Sequence, residues 1–473
     1  MKEKNFRIIF FTIIIILIFF AIYLIIKNKD TMASEIKIIK RENQISNEIT
    51  IGITKFDTIN PILSNNQDIQ YISKLIYEPL INIGQDFKLE PDLATEWSKL
   101  DDKTYLIRLS ENKYWHNGEK FKAKDVEYTI NYIKQEESIY DAHVENIEYI
   151  EIINDYTIKL YLIEPEDNFE YMLCFPIVCE KQNIGTGNFY VSNINEKEII
   201  LQSEKKKINI KIYEDVAKLY NAFSQEVVDV ITTNNINFEE YIGTIGYSKK
   251  IICNRNFDYV KFNVDAPEVV QALCFAINKN EIIYKVYNNL YCRAEFPLQY
   301  GCYLYNDNIE YVYNINKAKQ ILKEGGWEYN KDSWRKNGKS LRLEITTNQD
   351  RLEVAEIIKQ NLEEIGIKVS IRNLSNQYYK NNLQNLNYDI LLTGNIVSIK
   401  PEVQNYLNFN IEQKPTKKET YENIYKNYKD NPNFMGLYFD STILLYSSDL
   451  KGNFESNWFN IFYNIDSWYK IVN

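Results

Sequence analysis

The sequence predicts an α/β protein with two lobes, because two separate stretches of the chain show strands and helices in alternation. In the first stretch, residues 208–212 and 227–232 read as strands, and Asp215 begins the helix between them. The second stretch, residues 341–393, reads β-α-β-α-β, and Gly366 is placed to end the first of its helices. This alternation is typical of a parallel, doubly wound sheet.

An apolar segment lies before the predicted folded part. Residues 8–26 contain no charged side chain, and these 19 positions are close to the roughly 20 that span a bilayer. Basic side chains precede the segment, and no good signal-peptide cleavage site follows it. The sequence therefore predicts a cytoplasmic N-terminus and an uncleaved transmembrane anchor in residues 1–34. A polar tether over residues 35–47 would lead to a folded part outside the cell.

The composition argues against nucleic-acid binding and against catalysis. A formal net charge of −10 opposes binding to nucleic acid or to anionic lipid. The chain has two histidines and lacks a nucleophile motif such as G-x-S-x-G, so we predict no catalytic residue and no enzyme activity. His116, in a YWHNG turn, is interpreted as a structural imidazole bonded to nearby backbone, and His143 is expected on the surface.

Six cysteines permit disulfide bonds in an exported chain. The pairs nearest in sequence are Cys174 with Cys179 and Cys292 with Cys302. Cys274 lies in an apolar run and is expected to be a buried thiol. No cysteine pair has CxxC spacing and neither histidine lies beside a cysteine pair, so we predict no metal site and no cofactor.

Residues 77–132 read as a compact structural unit. Thr104–Leu109 alternates as a strand, and Asn117-Gly118 is a strong turn signal because both residues tolerate positive φ. A helix follows, with Asp125 in its first turn, where negative charge favours the helix dipole. One face of this helix is predicted to hold Ala123, Val126, Ile130 and Ile133.

This unit contains YEPL from Tyr77, PDLATEW from Pro91, and the run from Arg108 to Val126 that holds Trp115 and His116. These motifs resemble those of the extracellular solute-binding proteins of family 5, the peptide- and nickel-binding receptors of ABC importers. Many Gram-positive relatives carry a lipid anchor, but this chain lacks a cysteine near its apolar segment. Further family-like segments begin at Gly185, Val270, Tyr313, Leu437 and Trp458, and the resemblance spans residues 49–469.

The resemblance implies a periplasmic-binding-protein-like type II fold, with two hinged lobes and an extra inserted domain (cluster C architecture). Lobe I is expected to combine residues 48–61, 175–264 and 433–473. The inserted domain is expected over residues 62–174 and lobe II over residues 265–432. Ligand would lie between the lobes, and the strands that cross between them would act as the hinge.

The resemblance also implies where a ligand would bind. Peptide-binding relatives carry an aspartate, just after the strand matched by residues 388–393, that pairs with the α-ammonium of the peptide. This chain keeps Gly394 there, but Asn395 replaces a tryptophan and Ser398 replaces the aspartate. Lys400 nearby is interpreted as a surface lysine. The expected ligand-binding residues are Asn60, Asn263, Gly394, Asn395, Ser398 and Tyr438.

The predicted function is that of a membrane-anchored extracytoplasmic solute-binding protein of an ABC importer, which captures an oligopeptide or a peptide-like solute by hinge closure. Its expected partners are the permease subunits and, through the N-terminal helix, the cell membrane, and the chain is expected to be a monomer. One alternative is a degenerate binding domain that acts as a sensor or scaffold without a transported ligand. A second alternative is nickel-chelate binding, against which the scarcity of histidine argues.

Overall fold

The computed structural model describes residues 20, 22–24, 44–181, 183–407 and 418–472. Two compact units are present, one of residues 1–46 with 471–473 and one of residues 47–470, and every site discussed below lies in the larger unit. Most of the predicted transmembrane segment and most of the predicted tether lie outside the described residues. Within the described part, no helix is long and apolar enough to cross a membrane.

Short strands and helices alternate along most of the chain. In the first half they are β1 (Gln44–Ser46), β2 (Glu48–Thr54), α1 (Gln67–Ser73), β3 (Ile81–Ile83), β4 (Leu89–Pro91), β5 (Ala94–Lys99), β6 (Thr104–Leu109), α2 (Ala123–Gln135), α3 (Asp141–Val144), β7 (Ile147–Asn154), β8 (Thr157–Leu162), β9 (Tyr190–Ile194), β10 (Glu198–Gln202), β11 (Lys207–Tyr213), α4 (Val216–Ser224), β12 (Val230–Thr233) and α5 (Glu239–Ile242).

The second half contains the two longest strands of the described chain, β13 and β21. Its elements are β13 (Tyr247–Phe262), α6 (Pro267–Ala276), α7 (Lys279–Tyr287), β14 (Cys292–Arg293), α8 (Ile315–Glu324), β15 (Glu328–Asn330), β16 (Ser333–Lys336), β17 (Lys339–Ser340), β18 (Arg342–Asn348), α9 (Leu352–Glu364), β19 (Lys368–Leu374), α10 (Asn376–Asn382), β20 (Ile390–Ile396), α11 (Lys418–Asp430), β21 (Phe434–Ser447), β22 (Leu450–Lys451) and β23 (Tyr469–Val472). Short 3₁₀ helices lie at Phe169–Leu173, Asp307–Ile309, Gln349–Arg351, Leu383–Asn385, Gln404–Tyr406 and Ile465–Ser467.

One mixed sheet, of 11 strands among the described residues, runs through the larger unit. Its order is β19-β18-β20-β13-β21-β12-β2-β11-β10-β9, and β14 is added beside β21. The long strands β13 and β21 pair with each other at the centre of this order. β13 also pairs with β20 on one side, and β21 also pairs with β12 on the other. We call β13 and β21 the crossing strands, because they join the two halves of the sheet.

Two large hydrophobic cores lie on either side of this crossing. One core packs β18, β20 and the helix 352–364, with Ile345, Leu362 and Leu392 fully buried. The other core contains Ile51 of β2 together with Ile107 of β6, so the region of residues 62–174 packs against the β2 half of the sheet. The fold is therefore the predicted α/β architecture, with two lobes and an added domain.

Both predicted βαβ stretches form parallel sheet. β2 pairs in parallel with β11 and with β12, and β18 pairs in parallel with β19 and with β20. Asp215 caps its helix by accepting a hydrogen bond from the Lys218 backbone, and Gly366 has the positive φ of 92° expected at a helix end. Strand β12 begins at Val230, three residues later than predicted, because Glu226 adopts a left-handed conformation with φ 58° as the preceding helix ends.

The disulfide bond in the described chain joins Cys253 to Cys292, with their Cα atoms 5.7 Å apart. The pairs nearest in sequence are not formed, so Cys174, Cys179 and Cys302 are free thiols. The reason is the sheet: Cys253 lies on β13, and β14 brings Cys292 to the adjacent strand β21, opposite Phe439. Cys274 is a buried free thiol, as predicted.

We expect Trp115→Ala to destabilise the protein by about 3–5 kcal/mol, as truncation of a core aromatic does. Trp115 is 4% exposed, and its indole nitrogen donates a hydrogen bond of 3.1 Å to Asp125 at the start of the helix 123–135. Urea unfolding measures the loss, and the control is Tyr114→Ala, because Tyr114 is 48% exposed. An unchanged unfolding midpoint together with lost solute binding would contradict this structural role.

Candidate functional site

A cleft follows the crossing strands where they pass between the two cores. One pocket of about 390 Å³, here called pocket A, lies beside β20 and contains Tyr438. A second pocket of about 430 Å³, pocket B, extends from there to the region of residues 67–174. Asn256, Ile396 and Asp440 line both pockets, so the two spaces meet at the crossing strands. Volumes of this size are typical of sites for small ligands.

A bulge in the crossing strands shapes this cleft. Cys253 pairs with Ser441 and the next pair is Phe257 with Phe439, so the three residues 254–256 stand opposite the single residue Asp440. Extra residues on one strand bend it and redirect its side chains, and such bulges are frequent beside functional sites. Here the bulge supplies side chains to both pockets.

The bulge leaves one carboxylate oxygen without a partner. Oδ2 of Asp440 accepts a hydrogen bond of 2.7 Å from the side chain of Asn256. Oδ1 of Asp440 is buried and has no hydrogen-bond partner among the described residues. Burial raises the pKa of Asp440, and the amide groups of Asn256 and Asn254 oppose that rise. Because Asp440 forms no ion pair with a cation among the described residues, its carboxylate is suited to bind a positively charged group of a ligand.

Pocket A contains a neutralised ion pair. Arg351 holds Asp258 in two contacts, from Nε to Oδ2 at 2.6 Å and from Nη2 to Oδ1 at 2.9 Å. The Tyr438 hydroxyl donates to the same carboxylate at 3.0 Å, and the Tyr287 hydroxyl lies 2.7 Å from the Tyr438 hydroxyl. Since Asp258 already has a bidentate cation and a hydroxyl donor, its charge is compensated within the protein.

Gly394 makes room for this ion pair. It lies opposite Asp258 in the register of β20 and β13. A Cβ atom at Gly394 would lie 1.8 Å from Oδ1 of Asp258 and 2.7 Å from Nη2 of Arg351. A side chain here would therefore displace the pair, which gives this glycine a physical role in the site.

The structure brings three of the six predicted ligand-binding residues together. Gly394, Asn395 and Tyr438 line pocket A. Ser398 lines a smaller space next to pocket B, and its hydroxyl accepts a hydrogen bond from the Lys400 backbone. Asn60 is not among the residues that line these spaces; its side chain accepts a hydrogen bond from the Ile62 backbone in a local turn. The side chain of Asn263 donates to the Tyr388 carbonyl at 3.2 Å, also outside these spaces.

Three predictions about single polar residues have clear outcomes. His116 is structural, as predicted, because it accepts a hydrogen bond from the Gly185 backbone and its other nitrogen lies 2.8 Å from the Gly187 carbonyl. The prediction that His143 lies on the surface is wrong, since the imidazole lines pocket B, where burial lowers its pKa. The interpretation of Lys400 as a surface lysine is also wrong: its side chain is 12% exposed and forms an ion pair with Glu166.

The charged residues of the cleft were not identified from the sequence. Asp258 and Asp440 lie on strands, and Arg351 precedes the helix 352–364, so no local spacing connects them. Only the pairing of distant strands brings them to one place. Among the described residues, no group of three or more His, Cys, Asp or Glu side chains is arranged to hold a metal ion.

The chain is similar to curated binding proteins over about two thirds of its length. It is 24% identical over 359 residues to the dipeptide-binding protein of Escherichia coli. The aligned part covers 62% of this chain and 66% of that protein. It is 23% identical over 361 residues to a glutathione-binding protein of Pectobacterium atrosepticum, covering 68% of each chain. The matched part thus spans about two thirds of the length of these relatives.

Solved structures of low sequence identity share the fold. An ABC transporter substrate-binding protein from Sinorhizobium meliloti superposes with a TM-score of 0.74 at 17% identity, covering 90% of this chain and all of that one. A nickel ABC transporter protein from Bacillus halodurans superposes with a TM-score of 0.73 at 18% identity, covering 86% and 96%. The model of the family described as "Bacterial extracellular solute-binding proteins, family 5 Middle" matches residues 88–417, more than half of the chain. The chain therefore belongs to the family 5 bacterial extracellular solute-binding proteins.

Proposed function

We propose that this protein is a membrane-anchored extracytoplasmic binding protein of an ABC importer, which captures an oligopeptide or a peptide-like solute by hinge closure. Membership of family 5 makes it a solute-binding protein of the kind that serves ABC importers. The observation that carries the proposal is the cleft itself. Its pockets lie at the bulge through which two continuous strands connect two separate cores. Rotation of one lobe against the other would open or close both pockets.

Contacts across the cleft support closure as the mechanism. Lys400, which follows β20, forms an ion pair with Glu166 of the added domain. The Tyr303 backbone donates a hydrogen bond of 2.9 Å to the carbonyl of Asp86, again between opposite sides of the cleft. These contacts require the two sides to be close together. They would therefore stabilise only the closed form, and a bound solute would add to that stabilisation.

Asp440 is the proposed partner for the amine of a peptide-like solute. Ser398 can form hydrogen bonds but cannot neutralise an ammonium group, so the family position after β20 lacks the required charge. Asp258 has a carboxylate but is compensated by Arg351. Asp440 forms no ion pair with a cation among the described residues, and it lines both pockets at their junction. Asn395, whose amide donates to the Tyr406 hydroxyl at 2.5 Å, and Ser398 would line the rest of the solute path.

The proposed location is the cell membrane, with a single pass and the binding domain on the outer side. The support comes from residues 8–26, an uncharged segment long enough to span a bilayer and preceded by basic residues. The folded part would act as a monomer and deliver the solute to the permease subunits.

The Glu166→Gln variant should bind solute roughly tenfold more weakly, because closure would then leave a partly buried Lys400 with only its longer contact, 3.9 Å, to Glu402. A panel of di- to pentapeptides, screened by thermal shift and measured by calorimetry, identifies a suitable solute. The control is Glu164→Gln, because the Glu164 side chain is 76% exposed. X-ray scattering should show that the parent protein becomes more compact when it binds solute, and that Glu166→Gln compacts less. Binding without any compaction would contradict hinge closure.

Replacing Asp440 by Asn should weaken binding of a free-amine tripeptide by roughly tenfold to a hundredfold, the effect of losing one charge-assisted hydrogen bond. The N-acetylated form of the same peptide should be affected much less, since it has no ammonium group. Asp265→Asn, at an exposed position, is the matched control. Equal losses for both peptides would show that Asp440 does not bind the amine.

Residues before Ser34 should remain on the cell-associated protein. N-terminal sequencing of the membrane fraction measures this directly, and alkaline extraction should leave the protein in the membrane, because an apolar span holds it there. A mature protein that begins near Ser34 would contradict the proposed anchor.

A further inference from the structure

We propose that pocket B is an anion-binding subsite in which Lys74 and Arg255 hold a negatively charged group, such as a carboxylate, of the captured solute. This inference rests on the proposed function and narrows the solute to one that carries an anionic group. Together with Asp440, it describes a cleft that recognises both charges of a zwitterion.

Lys74 and Arg255 both lack an acidic partner. Lys74 ends the helix 67–73, and no carboxylate of the described residues lies within ion-pair distance of its ammonium group. Arg255 comes from the bulge, and it too has no carboxylate partner within the described ranges. Its guanidinium lies 4.9 Å from the ring centre of Trp458 and makes one long contact, of 3.5 Å, to the Val397 carbonyl. Stacking thus holds the arginine in place while leaving most of its N–H donors for a ligand.

The other two cations of the cleft differ in this respect. Arg351 is neutralised by Asp258 in pocket A, and Lys400 is neutralised by Glu166. Pocket B therefore contains the uncompensated positive charge of the described cleft. Burial lowers the pKa of Lys74 and of Arg255, which shows that both charges are partly removed from water. An incoming anion would supply the missing counter-charge and offset this cost.

Both cations line pocket B, and so do Cys174 and His143. Burial raises the pKa of the Cys174 thiol to about 11, while the charges of Lys74 and Arg255 act to lower it. Burial lowers the pKa of His143, and the charges of Arg255, Lys74 and Lys400 lower it further. Two groups from different segments thus experience both cations, as a bound carboxylate would.

Asp440 is the one acidic residue among those that line pocket B, and it lies on the wall shared with pocket A. The cations come from the helix 67–73 and from the bulge. Negative and positive groups are therefore present in one continuous cleft. A solute with an amine and a carboxylate would pair with the Asp440 carboxylate and with the unpaired cations together.

Cys174 provides a test that needs no natural solute. Iodoacetate and iodoacetamide alkylate a thiolate by the same displacement of iodide, but only iodoacetate is an anion. If pocket B attracts anions, the ratio of carboxymethylation to carbamidomethylation should be roughly tenfold higher at Cys174 than at Cys179. Cys179 is the internal control, because it is also a half-buried free thiol but does not line pocket B. Peptide mass spectrometry measures both ratios in the intact protein.

Variants identify the residues responsible. Arg255→Gln and Lys74→Gln should each lower the Cys174 ratio towards that of Cys179, whereas Arg255→Lys should retain most of the preference. Arg342→Gln, at an exposed position on β18, should leave the ratio unchanged. Equal ratios at Cys174 and Cys179 in the parent protein would overturn the proposal. A Cys174 thiol that reacts with neither reagent would also overturn it, since it would then not face an open pocket.

A peptide comparison separates this inference from the proposed function. Tri-alanine with a free carboxylate should lose roughly tenfold to a hundredfold in affinity on Arg255→Gln, whereas tri-alanine amide should change little. Equal affinity of the parent protein for the acid and the amide would overturn the anion subsite while leaving solute binding intact. If neither peptide binds, peptide capture is the proposal that fails, and the alkylation ratio still decides the subsite.

Discussion

The cleft depends on a mismatch between the two crossing strands, in which three residues of β13 stand opposite a single residue of β21. β13 and β21 must stay paired at both ends, because each end belongs to the sheet of a different lobe. The mismatch in residue number is therefore confined to the middle, at residues 254–256 opposite Asp440. A bulge bends the strand that carries the extra residues. The position of the bend is also where the two cores separate and where the pockets open.

The disulfide bond lies immediately beside this bend. Cys253 is the last residue of β13 that pairs regularly before the bulge, and Cys292 lies on β14, which pairs with β21 beyond it. Side chains from the bulge then have fixed directions: Asn256 reaches Asp440, and Arg255 stacks on Trp458. The covalent link and the strand pairing thus hold Asn256 and Arg255 at the bend between the two cores.

Charge compensation distinguishes the groups that hold the protein together from those available to a ligand. Asp258 pairs with Arg351, and Glu166 of the added domain pairs with Lys400, so these charges are compensated within the protein. Asp440, Lys74 and Arg255 are partly buried without equivalent partners among the described residues. Burying an uncompensated charge is costly, and this cost is the physical basis for proposing these three groups as the ligand-binding charges of the cleft.

The sequence by itself determined the elements whose causes are local. The helix face with Val126 and Ile130, the cap at Asp215 and the glycine that ends the helix 352–364 all follow from spacing and from backbone preference within a few residues. The set of motifs from Tyr77 to Val126 indicated the family and thereby the fold. Only the tertiary structure decided which cysteines pair, which carboxylate remains unpartnered and which cations lack a counter-charge. The disulfide bond joins residues 39 apart, and Lys74, Arg255 and Asp440 are each more than 100 residues apart. No local pattern encodes the strand register that brings these residues together.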